Sequence, residues 1–215
     1  MKNLKLLDYL IWIIIAGTLV SAIYFYSILP DQVATHWNAA GEVDGWGSKT
    51  MGAFIAPIIM IAMYVLFIFL PRLDPKKENY QNFKGVYKGF QLLLIAFLAA
   101  MHFITNGVNL GYNLSIDKLM PILVGVLFIV IAFFLKNIKP NWFIGIRTPW
   151  TLSNDQVWKK THQFASKIFI LIGILFILFS YLKVSLWPWL MIFLLALIVL
   201  IFLYSYLEYR KIGDK

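Results

Sequence analysis

An all-α integral membrane protein with six transmembrane helices is what this sequence predicts, and three observations carry the prediction. Hydrophobic residues make up 61% of the 215 and charged residues only 13%, where a soluble domain carries about a quarter charged residues. Six apolar runs, at residues 9–29, 51–70, 89–110, 119–135, 164–182 and 184–207, approach the ~20 residues that cross a bilayer core. Sixteen of the 19 Lys and Arg fall in alternate connections, the asymmetry that puts both chain termini on the cytoplasmic side, N-in and C-in.

These observations also exclude. Six spans leave only short connections, so residues 1–215 form a single polytopic membrane domain without a large soluble catalytic domain. Internal repeats and linkers are not visible. The absence of cysteine rules out disulfide frameworks, thiolate nucleophiles, Cys-type zinc sites and iron–sulfur clusters. The net charge of +9 reads as a topology signal suited to an anionic inner leaflet, not as direct nucleic-acid binding.

The first span follows Lys2 and Lys5, and Val20-Ser21-Ala22 has the small-residue spacing of a signal-peptide cleavage site. The apolar run continues to Leu29, which is long enough to span.

External loop 30–50 follows. Its glycines and its Asp44-Gly45 step call for turns, and Val33 to Trp37 suits a short extended piece capping the bundle. Trp37 and Trp46 suit the membrane interface. The candidate ligand contacts are His36, Trp37, Asn38, Asp44 and Trp46; the alternative is a rigid turn packed over the helices. One histidine with unspaced carboxylates is no metal-site pattern, so neither metal nor cofactor is expected.

Within the boundaries above, Lys167 near the start of the fifth run is the one charge, and it snorkels to the headgroups. An ion pump or proton-coupled carrier would keep charges deeper in its spans. The third span instead carries His102, Asn106, Asn109 and Asn113 at intervals of four, three and four, the spacing of one helix face. This polar stripe reads either as the wall of an outward-open cavity or as hydrogen bonding between helices.

The fifth and sixth runs are divided by Lys183 and Pro188. About 40 residues is twice a span, so a tight hairpin is expected between them. Ahead of them lies cytoplasmic loop 136–163. Ser153-Asn154-Asp155-Gln156 has the form of a helix N-terminus with a capping-box partner. Beyond it Val157, Trp158, Thr161, Phe164, Ala165 and Ile168 share one face, and Gln156, Lys159, Lys160, Gln163 and Lys167 the other. That pattern predicts an amphipathic interfacial helix, lying on the inner headgroups or docking a cytoplasmic protein. Arg147 is suited to stack on Trp150 or Trp142, to bind a lipid phosphate, or to pin the loop through backbone carbonyls.

The run Gly145-Ile146-Arg147-Thr148-Pro149-Trp150-Thr151-Leu152, followed by Val157-Trp158, resembles the signature of the SdpI family of bacterial membrane proteins. The external segment Leu29-Pro30 to His36-Trp37-Asn38, with Gly41 and Asp44-Gly45-Trp46, resembles the N-terminal module that often accompanies it. Together the two cover roughly residues 10–60 and 118–200. The resemblance implies a multi-pass protein of the bacterial plasma membrane that protects its producer from a secreted peptide toxin of the sporulation-delay type. It also implies signalling, in which the toxin-engaged protein holds a cognate transcriptional repressor at the membrane; the cytoplasmic surface around Arg147, Thr148, Pro149, Trp150, Thr151, Trp158, Lys159 and Lys160 is the candidate contact for such a partner or for lipid. A small-solute or peptide facilitator using the polar stripe is the alternative. An enzyme is not expected, because no phosphate-cradling glycine loop, His-Glu-x-x-His pair or nucleophile with a nearby base is present.

Overall fold

The computed structural model describes residues 2–182 and 186–213. Within them α1 (Lys2–Ile28), α2 (Lys49–Leu73), α3 (Lys84–Asn109), α4 (Ile116–Leu135), α6 (Asp155–Phe179) and α7 (Trp187–Gly213) are long helices. All six are long and apolar enough to cross a membrane. Their outward faces expose Ile13, Ile23, Ile58, Leu66, Ile192, Leu195 and Leu203. Water would penalise so much continuous apolar surface, whereas lipid accepts it. Helices are the form such segments must take there, because each satisfies its own backbone hydrogen bonds. This is a multi-pass membrane protein.

Two strands, β1 (Gln32–Trp37) and β2 (Val43–Ser48), form an antiparallel hairpin between α1 and α2. The expected extended piece from Val33 to Trp37 is β1; β2 was not legible, because Gly45 and Gly47 dilute its strand pattern. A 3₁₀ segment, Lys77–Phe83, leads into α3, and the short α5 (Pro149–Ser153) precedes α6.

The chain crosses back and forth between two ends. At the hairpin end Asn109, closing α3, bonds to β1. At the loop end Asp74, following α2, bonds to Trp142, and Thr148 bonds to Ser205 of α7. The even number of crossings returns the C-terminus to the end where α1 begins. α1, α2 and α3 pack on one another, α6 packs on both α4 and α7, and the seam runs between α3 and α4. Ile11, Ile15, Met60, Tyr64, Ile95 and Ala99 form the core of the first group. In the second, α4 and α6 touch through backbone: a Cβ on Gly125 would lie 2.6 Å from the Gly173 carbonyl oxygen. Glycine at both positions is what permits that approach.

The expected interfacial helix is not a separate element, because residues 155–179 form one unbroken helix. The amphipathic phase is correct, with Val157, Trp158, Thr161, Ala165 and Ile168 buried and Lys159, Lys160, Gln163 and Lys167 exposed. The apolar face packs on protein, not on headgroups, so nothing bends the helix at the membrane surface. Its N-cap is Asn154, whose side chain accepts from the Gln156 and Val157 amides. The capping box lies earlier, at Thr148 and Thr151 around α5, with Pro149 in the first turn. Ser153 closes α5 instead of starting α6. The helices also run past the expected spans and so take in ion-paired residues: Asp8 of α1 bonds to Lys88 of α3, and Glu208 of α7 to Lys160 of α6. α6 ends at Phe179 and α7 opens with Pro188 in its first turn, where a missing N–H costs nothing. Lys183, part of the expected turn between them, lies outside the described residues.

Candidate functional site

The hairpin end presents most of the external candidates together. His36 Nδ1 pairs with Asp44 across the strands, both side chains exposed. Asn38 turns the chain: its side-chain oxygen accepts from the Ala40 and Glu42 amides, and its amide donates to Glu42 Oε2. Trp46 is 63% exposed, while Trp37 is half-buried. At the base Lys49 Nζ sits 2.8 Å from Asp31 Oδ1; this hydrogen bond and charge hold the Asp31 carboxyl below the usual carboxylate range.

Val33 and Ala34 are the inward residues of β1. Val33 packs with Leu29 and Ala53. The Ala34 amide donates to Asn109 Oδ1 at 2.7 Å, and the Asn109 amide returns a bond to the Ala34 carbonyl at 3.0 Å. Asn109 thus mimics a third strand and clamps the hairpin to α3. Two apolar cavities lie beneath the hairpin. One, of about 390 Å³, spans the seam from Thr35 and Trp37 to Met120, Phe176 and Trp187. The other, of about 280 Å³, reaches from Trp37 down to Leu98 and His102.

The polar stripe divides. His102 is buried and its Nε2 lies 3.1 Å from Ser21 Oγ of α1. Asn106, also buried, donates to the Gly52 carbonyl of α2 and the His102 carbonyl. With the Asn109 clamp, these three tie α3 to α1, α2 and β1 in turn. Asn113 is not on the stripe: α3 stops at Asn109, and Asn113 is exposed in the turn beyond. Helical spacing has no meaning past the helix end.

At the loop end the residues turn inward. Asn141 is fully buried, accepting from the Phe143 and Ile144 amides and, at 3.5 Å, from the Tyr80 hydroxyl, and donating to the Lys139 and Ile144 carbonyls. Gly145 then adopts φ +107°, and a Cβ there would lie 2.4 Å from His162 Nε2. The buried His162 accepts the Ile146 amide at Nε2, 3.0 Å away, and faces the Trp158 carbonyl through Nδ1 at 2.8 Å. Those two partners require the neutral ring with its proton on Nδ1. Trp158 stacks on His162 and donates to the Ile138 carbonyl at 2.9 Å. Thr148 and Thr151 are buried; Thr151 donates to the Ile146 carbonyl, and the Thr148 hydroxyl meets Ser205. Arg147 is exposed and bonds to the Trp142 carbonyl, the loop-pinning geometry among the three read for it. Trp150 packs on Tyr206. Lys159 and Lys160 are exposed, Lys160 reaching Glu208 at 2.7 Å.

Sequence reasoning missed Asp74, Tyr80, Asn141 and His162. Asp74, although buried, accepts from the Lys76 and Trp142 amides and from the Tyr80 hydroxyl, tying the end of α2 to the loop. Burial and the Asp74 bond keep the Tyr80 hydroxyl protonated far above its ordinary range. A carboxylate beside Pro75 in a basic connection carries no sequence signal of this role. His162 could have been flagged, since it falls between Thr161 and Ala165 on the apolar side of α6.

The fold and its two ends define a six-helix membrane protein with an exposed hairpin at one end and a hydrogen-bonded loop at the other. Residues 137–206 match the SdpI/YfhL protein family, and residues 13–61 match a domain of unknown function, DUF1648. The chain is 29% identical over 202 residues to Immunity protein SdpI of Bacillus subtilis (strain 168), covering 94% of this chain and 95% of that protein. The recognition made from Gly145 to Trp158 is therefore borne out. No solved structure matches. The two matched regions contain the loop with α6 and most of α7, and the latter part of α1 with the hairpin and the first half of α2; α3 and α4 fall outside both, although the family resemblance was expected from residue 118.

Proposed function

We propose that this chain is a non-enzymatic membrane immunity protein that protects its cell from a secreted peptide toxin. The observation that carries the reading is end-to-end similarity to an immunity protein, with both termini of the alignment close to the chain's own. The hairpin is the toxin-facing surface. Its exposed His36, Asp44 and Trp46 form a polar and aromatic rim, and Trp37 leads from that rim into the apolar cavities below. A rim of this kind over apolar space suits an amphipathic peptide. The opposite, basic end faces the cytoplasm, following the Lys and Arg asymmetry. There the exposed Arg147 and Lys159 offer contacts to a transcriptional repressor. A facilitator along α3 draws less support, because His102, the Asn106 amide nitrogen and Asn109 bond to protein partners.

The test is survival and membrane potential of sensitive bacteria expressing the protein and challenged with a sporulation-delay-type toxin. Wild type is expected to protect, and His36→Ala with Trp37→Ala, present in the membrane at equal level, is expected to fail. Protection by both forms removes the hairpin from toxin recognition. Protection by neither overturns the immunity reading for that toxin.

A further inference from the structure

At the loop end, α4, α6 and α7 enclose a second kind of cavity. It measures about 390 Å³ and is lined by Lys136, Lys160, Gln163, Phe164, Lys167 and Tyr204. We propose that this pocket binds the phosphate of an anionic phospholipid headgroup.

Its depth supports that assignment. Gly125 sits at the middle of α4, where it meets Gly173 of α6. Counted from that crossing at ~1.5 Å per residue, Lys167 lies about 9 Å, Lys136 about 16 Å and Lys160 about 20 Å toward the loop end. Half a hydrocarbon core is about 15 Å. Lys136 and Lys160 therefore stand at the headgroup boundary, and Lys167 reaches it by extending its side chain toward water. Two helices thus bring three lysines to one pocket.

The charge balance supports it too. Glu208 pairs with Lys160 and with Lys211. Among the described residues Lys136 and Lys167 have no acidic partner within 4.0 Å. The pocket keeps an excess of positive charge, and Gln163 adds an amide donor. Phe164 and Tyr204 stack at 4.3 Å between ring centroids and form an apolar wall suited to the first carbons below a headgroup. Positions 160, 163, 164 and 167 share one face of α6. Lys159, also exposed on the same helix, is outside the pocket and is the natural control. Helices that cross the membrane on both sides of the pocket favour lipid over a soluble protein as the occupant.

Native mass spectrometry of the full-length protein in neutral detergent, titrated with phosphatidylglycerol, phosphatidylcholine or inorganic phosphate, tests the assignment. One phosphatidylglycerol is expected to be retained in preference to phosphatidylcholine. Lys136→Gln with Lys167→Gln is expected to weaken that binding roughly 30-fold, Lys159→Gln to leave it unchanged, and the paired Arg substitutions to restore it. Equal binding of the two lipids, or equal losses from Lys159→Gln and the double change, overturns the site. Phosphate binding without preference for phosphatidylglycerol overturns the lipid assignment. A melt in phosphatidylcholine checks that the double variant folds; if it does not, the single Lys136→Gln and Lys167→Gln changes are read the same way.

Discussion

The hairpin end and the loop end are built from similar residue types and use them in opposite directions. In the loop, Asn141, Thr148, Thr151, Trp158 and His162 are all at most 1% exposed, and each spends its polar atoms on backbone or on a neighbouring helix. In the hairpin, His36, Asp44 and Trp46 point outward and bond to one another or to nothing in the chain. One residue, Asn109, makes the polar attachment of β1 to the bundle, and its partner atoms belong to the Ala34 backbone. A buried polar group without its partner costs about 1–3 kcal/mol, while an exposed one finds water. Substitutions in the loop should therefore act on the whole fold, and those in the hairpin on local order and recognition.

The sharpest way to break this contrast is Gly145→Ala. It forces a left-handed backbone on alanine and drives a methyl group into His162, for an expected loss of about 3 kcal/mol or more. The measurement is thermal unfolding in lipid micelles, followed by tryptophan fluorescence. An unchanged transition would mean that the loop yields and is no frame.

Asp74→Asn comes next. The carboxylate accepts three bonds through two oxygens, and the amide would turn a donor toward one of those donors. The expected cost is about 2–3 kcal/mol, read in the same melt. Because Asp74 closes α2 against the 137–206 region, protease sensitivity should rise at Lys76 and Lys77 as well. A melt at the wild-type temperature would assign the α2 tie to packing of Tyr80 and Phe83 instead.

Asn109→Ala should have the smallest effect. Loss of two bonds frees the hairpin at a local cost of about 1–2 kcal/mol, speeding hydrogen exchange of the Ala34 amide roughly tenfold with little change in the bundle's melting temperature. A fall in global stability as large as that of Asp74→Asn would show the two ends to be equally structural.

How much of this was legible follows residue by residue. Val157, Trp158, Thr161, Ala165 and Ile168 announced one apolar face through their helical period, and that face is the one buried against protein instead of lying on headgroups. The same period carried Asn113 onto a face it does not occupy, because periodicity does not mark where a helix stops. Gly145 and Pro149 were read as parts of a motif; the reason for each is a left-handed turn against His162 and the first turn of α5. Asp74 and Asn141 lie 67 positions apart in the chain and share Tyr80 as a neighbour, a relation no local pattern encodes.

The amino-acid sequence alone determined that this chain carries six helices apolar enough to cross a membrane, the order in which they follow one another, and which end carries the positive charge. Those properties are sums over local stretches, since transfer of a span into lipid depends on its own residues and not on its neighbours. Tertiary structure decided which polar side chains became scaffold and which remained surface. It set His162 under Gly145, Asn109 against β1, Asp74 beneath the loop, and three lysines around one pocket. The use of a polar atom is fixed by what lies within 3 Å of it, and residues far apart in the chain supply that neighbourhood only once the helices have packed.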